Sequence, residues 1–172
     1  MTLPSPINIQ DRLLTVHTDT IEPIDLATDM PGLKVWPLFL DSENGVWVLR
    51  VEFQPGTKLP MHFHTGTVHF YTMSGTWNYV EHPEDPQVSN SYLYEPGGSI
   101  HTFMVPEDAK EPADGFMVIQ GSNVNFTQEG EFMNVMDAGW IEAVLLKACK
   151  EQGRPVPRYI KPMAKAGFTD VQ

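Results

Sequence analysis

The sequence has little of several residue types, and each shortage excludes a class of protein. Cys149 is the only cysteine among 172 residues, which excludes an intrachain disulfide and a thiolate-rich metal site. Lys and Arg number 11 against 22 Asp and Glu, and the formal net charge is -11. Such an acidic surface repels phosphate backbones and anionic lipids, so we expect neither nucleic acid nor membranes as partners.

Long apolar runs are also missing. No stretch of about 18 apolar residues is free of a charge or a breaker, so we expect no membrane-spanning helix. The N-terminal sequence MTLPSPINIQDRLL lacks the basic start and apolar stretch of a secretory signal. Hydrophobic residues make up 41% of the chain and charged residues 19%. This apolar fraction is enough to form the core of one packed domain. These features predict a soluble, cytoplasmic protein.

Short β-rich runs separated by turn residues dominate the chain after an N-terminal arm, residues 1–32, that is rich in Pro, Thr and Asp. The predicted strands are 33–40, 46–53, 59–64, 68–73, 76–82, 91–95, 99–105, 115–121 and 123–127. Breakers lie between them, including 83–86, 96–98 and 112–115. Many short strands at this spacing predict an all-β antiparallel barrel or sandwich, which we assign to residues 33–130.

One segment has helical spacing instead. Residues 137–153 carry apolar side chains at 141, 144, 145 and 148, which predicts a helix with its apolar stripe facing the core. Asp137 is a suitable N-cap and Gly153 a suitable stop. Residues 131–172 therefore form a C-terminal helix and tail in this interpretation.

Three histidines have the spacing of a metal site. His62 and His64 are two residues apart on a predicted strand, so both imidazoles point to the same face. His101 follows a Gly-rich turn on a later strand, and antiparallel pairing can bring it opposite the first pair. Neutral imidazole binds borderline ions such as iron, nickel, copper and zinc.

These residues stand within two recognisable motifs. Gly56, five residues, His62-x-His64, four residues, His69 and later Gly75 resemble the first cupin motif. The stretch Pro96-x-Gly98-x-x-His101 resembles the second. The resemblance implies a cupin fold, the RmlC-like jelly-roll barrel, with His62, His64 and His101 as metal ligands.

The resemblance extends to one group of cupins. The stretches MHFHTGTVHFYTMSGTWNYVEHPED, YEPGGSIHTFMVPED and LLKACKEQGRPVP resemble the 2,4′-dihydroxyacetophenone dioxygenases, which are related to the acetylacetone-cleaving dioxygenases. This likeness implies a ferrous three-histidine site that splits a carbon–carbon bond beside a carbonyl and incorporates both atoms of O2. It also implies an aromatic or aliphatic ketone and O2 as partners, a homodimer or higher oligomer, and zinc or nickel as alternative ions in the purified protein.

One departure from the motif concerns His69. The first cupin motif usually has a glutamate ligand near this position, whereas this chain has Val68-His69 there. A site without that carboxylate keeps the full charge of the ion and attracts an anionic chelating substrate more strongly. His69 is either a fourth metal ligand or a catalytic residue that positions substrate or O2.

Strand parity suggests further site residues. If His69 faces inward, then Tyr71 and Met73 do too, and together with Trp77 and Phe103 they are candidate substrate-binding residues. The alternative is that these side chains belong to the core. Glu95, next to the Pro96 turn, is either a catalytic general base or a solvated turn carboxylate.

Three functions remain in competition. The first is a non-haem Fe(II) dioxygenase that cleaves a hydroxyketone or β-diketone. The second is an enzyme that uses zinc, nickel or manganese as a Lewis acid, such as a hydrolase or isomerase. The third is a non-catalytic metal-binding sensor module. Dependence of turnover on oxygen distinguishes the first from the other two.

Overall fold

The computed structural model describes residues 14–26 and 29–162, and these contain twelve β-strands and one α-helix. The first six strands are β1 (Ile24–Asp25), β2 (Leu33–Asp41), β3 (Val46–Phe53), β4 (Met61–His64), β5 (Val68–Ser74) and β6 (Thr76–Tyr79). The second six are β7 (His82–Val88), β8 (Tyr92–Glu95), β9 (Phe103–Met104), β10 (Ala113–Gln120), β11 (Asn123–Phe126) and β12 (Phe132–Met136). The helix α1 spans Ala138–Glu151.

The strands form two layers. One layer is a six-stranded antiparallel sheet in the order β1-β2-β3-β10-β5-β8. The other consists of two three-stranded sheets, β12-β11-β4 and β7-β6-β9. Backbone hydrogen bonds in both directions between His62 and His101, of 3.0 and 2.9 Å, connect these two sheets. The predicted all-β jelly roll is therefore confirmed.

The core lies between the layers because the strands alternate between inner and outer residues. In β3, Trp47, Leu49, Val51 and Phe53 are buried, while the residues between them are only partly buried. Each such side chain contributes about 1.5–3 kcal/mol on full burial. The period of two thus places one apolar row inside and leaves the other row facing outward.

The predicted C-terminal helix is also confirmed. Asp137 caps α1, and its carboxylate accepts a hydrogen bond of 2.8 Å from the backbone N–H of Trp140. Gly153 follows the helix with a φ of 63°, which glycine adopts without strain. The predicted apolar stripe faces the core, with Ile141, Leu145 and Ala148 buried.

The chain after the helix returns to the sheet. Ile160 exchanges backbone hydrogen bonds with Leu38 and Leu40 of β2. Glu142 of α1 accepts hydrogen bonds from the side chains of Tyr159 and Lys161. The hydrogen bonds from Lys161 and Tyr159 lower the pKa of Glu142 below its ordinary value.

Several boundaries differ from those that the sequence predicts. The stretch 83–86, predicted to break the structure, lies within β7. This is an edge strand of the described sheet, and proline is tolerated there because no strand in the described part of the chain pairs with its outer side. The predicted strand 99–105 shortens to Phe103–Met104. Beyond residue 130, β12 still pairs with β11, and β1 of the N-terminal arm pairs with β2.

No helix among the described residues is long and apolar enough to cross a bilayer.

Candidate metal centre

The usual polarity of a half-buried strand is inverted in β4. His62 and His64 are buried, with 5% and 4% of their surface exposed, whereas Met61 and Phe63 are less buried. The ring of Phe63 stacks on the outer side against Phe126, at 5.9 Å between centroids. Burying a polar group costs free energy unless the group has a partner. The inward imidazoles and the outward phenylalanine of β4 therefore indicate a functional role for the two histidines.

The third histidine reaches the same place from the segment before β9. The backbone pairing of His101 with His62 sets the two side chains next to each other, and their ring centroids lie 4.7 Å apart. The ring of His64 lies 5.0 Å from His62 and 5.7 Å from His101. One ring nitrogen from each of the three residues lies within 4.8 Å of the others. Metal–imidazole bonds of about 2.0–2.1 Å span such a group after small side-chain movements.

Burial keeps two of these imidazoles neutral, which is the form that binds metals. Desolvation lowers the pKa of His62 and lowers that of His64 to about 4. Nδ1 of His62 lies 2.8 Å from the carbonyl oxygen of Pro60, so Nδ1 carries the proton and donates it. The lone pair of His62 is then on Nε2.

A carboxylate meets the histidines from the neighbouring strand. Glu95 of β8 is the cross-strand partner of Val68, which lies next to the position where the motif usually has its glutamate. Its Oε2 lies 3.3 Å from Nε2 of His64 and 3.2 Å from Nε2 of His101. Its Oε1 accepts a hydrogen bond from the hydroxyl of Tyr79. Glu95 is buried, so the alternative of a solvated turn carboxylate is wrong.

The charge state of Glu95 follows from its partners. Burial alone raises the pKa of a carboxyl group, but the nearby imidazoles of His101 and His64 and the hydrogen bond from Tyr79 together outweigh it. The pKa of Glu95 is therefore below its ordinary value. The centre combines imidazole nitrogens with an ionised carboxylate.

Three buried atoms in this cluster have no hydrogen-bond partner, namely Nδ1 of His64, Nε2 of His101 and Oε2 of Glu95. Buried polar atoms are rarely left unpaired in folded proteins. A divalent cation between the imidazoles would satisfy two of these atoms, Nε2 of His101 and Oε2 of Glu95, by direct bonding or charge. The residues present therefore fit a metal ion, and His62, His64 and His101 are the side chains that would hold it.

Asn123 supports the centre and has no signal in the sequence motifs. It is the cross-strand partner of His64 on β11, and its side-chain oxygen is buried without a hydrogen-bond partner. The amide favours the charged form of His64 and so opposes the fall in its pKa, although the two groups do not satisfy hydrogen-bond geometry. A small rotation would let Oδ1 of Asn123 accept the proton of Nδ1 of His64.

An apolar cavity of about 80 Å³ opens beside the cluster and is called the inner cavity below. Its polar lining includes His62, His64, Tyr79 and Glu95. The remaining wall is mainly apolar and includes Leu49, Phe70, Trp77, Phe103, Met117 and Ile119. Two of the four predicted substrate-binding residues, Trp77 and Phe103, thus line the cavity beside the histidines.

His69, Tyr71 and Met73 do not reach the centre. In β5 the buried residues are Val68, Phe70 and Thr72, so the alternate residues face outward. His69 instead lies on the outer face, where its Nδ1 is 2.7 Å from the hydroxyl of Tyr92. The expectation that His69, Tyr71 and Met73 face the interior is therefore corrected by the parity of β5.

Comparisons with solved structures place the fold among cupins. A protein of unknown function with a cupin-like fold from Ralstonia eutropha JMP134 is 42% identical, with a TM-score of 0.87, over 95% of this chain and 100% of that one. An RmlC-like cupin protein from the same organism is 21% identical, with a TM-score of 0.77, over 86% and 93% of the two chains.

An acetylacetone dioxygenase from Acinetobacter johnsonii is 13% identical, with a TM-score of 0.68, over 86% of this chain and 99% of that one. At that identity, the likeness shows a shared fold. No curated protein matches the chain.

A family model described as the ChrR cupin-like domain matches residues 11–123, which include all three histidines and Glu95. The match agrees with the jelly roll, with the position of the histidine cluster and with the resemblance seen in the motifs. The chain therefore belongs to the ChrR cupin-like family.

Proposed function

We propose that this protein is a non-haem Fe(II) dioxygenase that cleaves the carbon–carbon bond beside the carbonyl of a hydroxyketone or β-diketone. The observation that carries the proposal is the meeting of three buried imidazoles and an unpaired carboxylate oxygen at an apolar cavity. The fold shared with an acetylacetone dioxygenase supports it. When bound, a ferrous ion supplies the Lewis acidity and electron-transfer chemistry that O2 requires.

For a hydroxyketone, the overall reaction is R–CO–CH2OH + O2 → R–COOH + HCOOH. The carbon–carbon bond breaks, both oxygen atoms enter the products, and O2 takes up four electrons from the two carbons. The reaction needs no further reductant. It does require a proton to leave the carbon or hydroxyl group of the substrate before oxidation.

In this proposal Glu95 takes that proton at Oε2, the oxygen that faces His64 and His101. The hydroxyl of Tyr79 holds the other carboxylate oxygen and so fixes the orientation of the base. The apolar wall that contains Trp77 and Phe103 excludes water from the reacting carbon. General bases placed in this way contribute about 10²–10⁴-fold to rates.

The test is oxygen uptake by protein that has been loaded anaerobically with Fe(II). Acetylacetone and a 2-hydroxyketone are the substrates, and mass spectrometry after reaction under ¹⁸O2 should find one heavy oxygen in each product. Protein refilled with zinc should not turn over. The Glu95→Gln variant keeps the hydrogen bond from Tyr79 and should lose at least about 10²-fold in rate.

Two outcomes would contradict the proposal. Turnover that continues without oxygen and with zinc would indicate a Lewis-acid enzyme, in which the ion only polarises the substrate. A tightly filled metal site with no turnover of any ketone would indicate a module that holds metal without catalysis.

A further inference from the structure

The third histidine of the centre lacks the regular strand pairing that holds the other two. His62 and His64 belong to β4, which pairs with β11 along its whole length. His101 lies outside the strands and pairs with His62 through an isolated bridge. The residue before it, Ile100, is 60% exposed. The place of the His101 imidazole therefore depends on how the next residue, Thr102, is held.

Thr102 is held by the two-residue turn that connects β6 to β7. The turn consists of Val80 and Glu81, between the paired residues Tyr79 and His82. The backbone N–H of Val80 donates to the carbonyl oxygen of Thr102 at 2.9 Å. The carboxylate of Glu81 accepts two hydrogen bonds from Thr102, one of 2.8 Å from its backbone N–H and one of 2.7 Å from its hydroxyl. All three polar groups of Thr102 are thus bound to this turn.

Glu81 uses both of its carboxylate oxygens on this one residue. Hydrogen bonds to an ionised acceptor are roughly twice as strong as those between neutral groups. Thr102 is buried, so without Glu81 its hydroxyl and N–H would lose their partner away from bulk water. Glu84 of the same acidic stretch instead approaches His82 at 3.7 Å, and both of these side chains are more than half exposed. Glu81 therefore does more than add charge to a solvated loop.

The same hairpin also touches the imidazole of His101. Tyr79, the last residue of β6, pairs with Phe103, and its ring lies 4.3 Å from the ring of His101. Tyr79 also lines the inner cavity. The imidazole thus lies between β4 and the β6–β7 hairpin, and Glu81 holds the backbone beside it. A metal–imidazole bond tolerates a displacement of about 0.2 Å, so a small shift of Thr102 is enough to disturb coordination.

We propose that Glu81 is a positioning residue of the metal centre, which holds the His101 imidazole at the distance from His62 and His64 that one ion requires. It acts through Thr102 and does not contact the ion. The inference rests on the proposed function, because it concerns the same centre, and it adds a residue that lies outside the histidine motifs. Residues that orient metal ligands from outside typically change metal affinity by about 10–100-fold when they are replaced.

The test measures metal binding and needs no step of the reaction. Metal-free Glu81→Ala is titrated with zinc in competition with a chromophoric chelator, and its cobalt-loaded form is followed by visible absorption, which reports the geometry around the ion. We expect zinc to bind roughly tenfold more weakly than to the parent chain, and the cobalt bands to shift. Glu81→Gln should recover both properties, because its amide accepts from the N–H of Thr102 and donates to the hydroxyl oxygen. The matched control Glu84→Ala should behave as the parent chain does.

The variants separate a positioning role from charge and from stability. Glu81→Gln removes the same charge as Glu81→Ala, so its recovery distinguishes hydrogen bonding from electrostatic attraction of the cation. A purely structural role predicts a lower melting temperature in Glu81→Ala with zinc affinity within twofold of the parent chain and unchanged cobalt bands. That result would overturn the proposal, as would an equal loss in Glu84→Ala or no recovery in Glu81→Gln. If Glu81→Ala does not fold, Thr102→Val takes its place, and parent-like metal binding in that variant would overturn the proposal.

The positioning role and the proposed reaction can fail separately. The expected zinc and cobalt results, together with no oxygen uptake by the iron-loaded parent chain, would refute the reaction and leave the role of Glu81 intact. Oxygen uptake by the parent chain, with parent-like metal binding in Glu81→Ala, would do the reverse. A parent chain that binds neither zinc nor cobalt would refute both.

Discussion

Replacing Asn123 with leucine should weaken metal binding through its neighbour His64. Nε2 of His64 faces Oε2 of Glu95 at 3.3 Å, so this nitrogen is the one available to an ion. Coordination through Nε2 requires the proton to be on Nδ1, which is buried, and Oδ1 of Asn123 is the acceptor that lies near it. Without an ion, His64 can instead carry the proton on Nε2 and donate it to Glu95. Loss of Asn123 therefore penalises the tautomer that binds metal.

The size of the effect follows from the cost of a buried donor without an acceptor, about 1–3 kcal/mol. Since about 1.4 kcal/mol corresponds to a tenfold change in affinity, the Asn123→Leu variant should bind zinc roughly 10- to 100-fold more weakly. The assay is a titration of metal-free protein with zinc in competition with a chromophoric chelator. Asn123→Asp, which keeps an acceptor oxygen, should recover most of the affinity.

Asn125 offers a matched control on the same strand and the same buried face. It is the cross-strand partner of His62, but its amide donates to Asn134 at 2.8 Å, and Nδ1 of His62 already has Pro60 as acceptor. The Asn125→Leu variant should lose stability and keep its zinc affinity. A zinc affinity in Asn123→Leu within twofold of the parent would refute this reasoning, as would an equal loss in both variants.

His101→Ala should lose stoichiometric metal after dialysis, whereas His69→Ala should retain it, as measured by elemental analysis. Gly115→Ala should lower the melting temperature by several degrees, because the added Cβ would lie 2.2 Å from Cε1 of Phe70 and such overpacking costs about 1–3 kcal/mol. Glu142 has a lowered pKa in the folded chain, so its stabilising contribution is complete above its ordinary pKa of 4.5 and is lost as the pH falls through the folded value. Chemical denaturation at pH 7 and pH 3.5 should show a smaller acid-induced loss of stability in Glu142→Gln than in the parent chain.

Each of these three predictions would be contradicted by one specific result. Loss of metal in His69→Ala would mean that the outer face of β5 contributes to the centre. An unchanged melting temperature in Gly115→Ala would mean that Phe70 has room to move away. An identical pH dependence in Glu142→Gln and the parent would mean that the contacts of Glu142 persist in the unfolded chain.

Local sequence was sufficient to place the first two histidines. Successive residues of a strand point to opposite faces, so His62-x-His64 had to present both rings on one side wherever the strand lay. The same kind of local rule predicted α1, because the apolar spacing, the Asp137 cap and the Gly153 stop all act within a few residues of one another. Turn residues likewise marked most strand ends.

Strand alternation did not predict which face of β5 is buried, because both faces carry apolar side chains that could occupy the core. Val68 and Phe70 compete with Tyr71 and Met73 for the interior, and nothing in the strand itself decides between them. The choice depends on the neighbours that each face meets, such as Trp77, whose ring lies 5.0 Å from that of Phe70. The face of His69 is therefore a property of the packed sheet.

The tertiary structure also decided which other polar groups join the histidines. Glu95 reaches the cluster through its pairing with Val68, and Asn123 through its pairing with His64, over separations of 27 and 59 positions in the chain. Sheet register depends on the summed packing of whole strands, which no short motif encodes. Residue types and their spacing were enough to predict the fold class and imidazoles as candidate ligands, whereas the sheet pairing brought the carboxylate and the supporting amide to the cavity beside them.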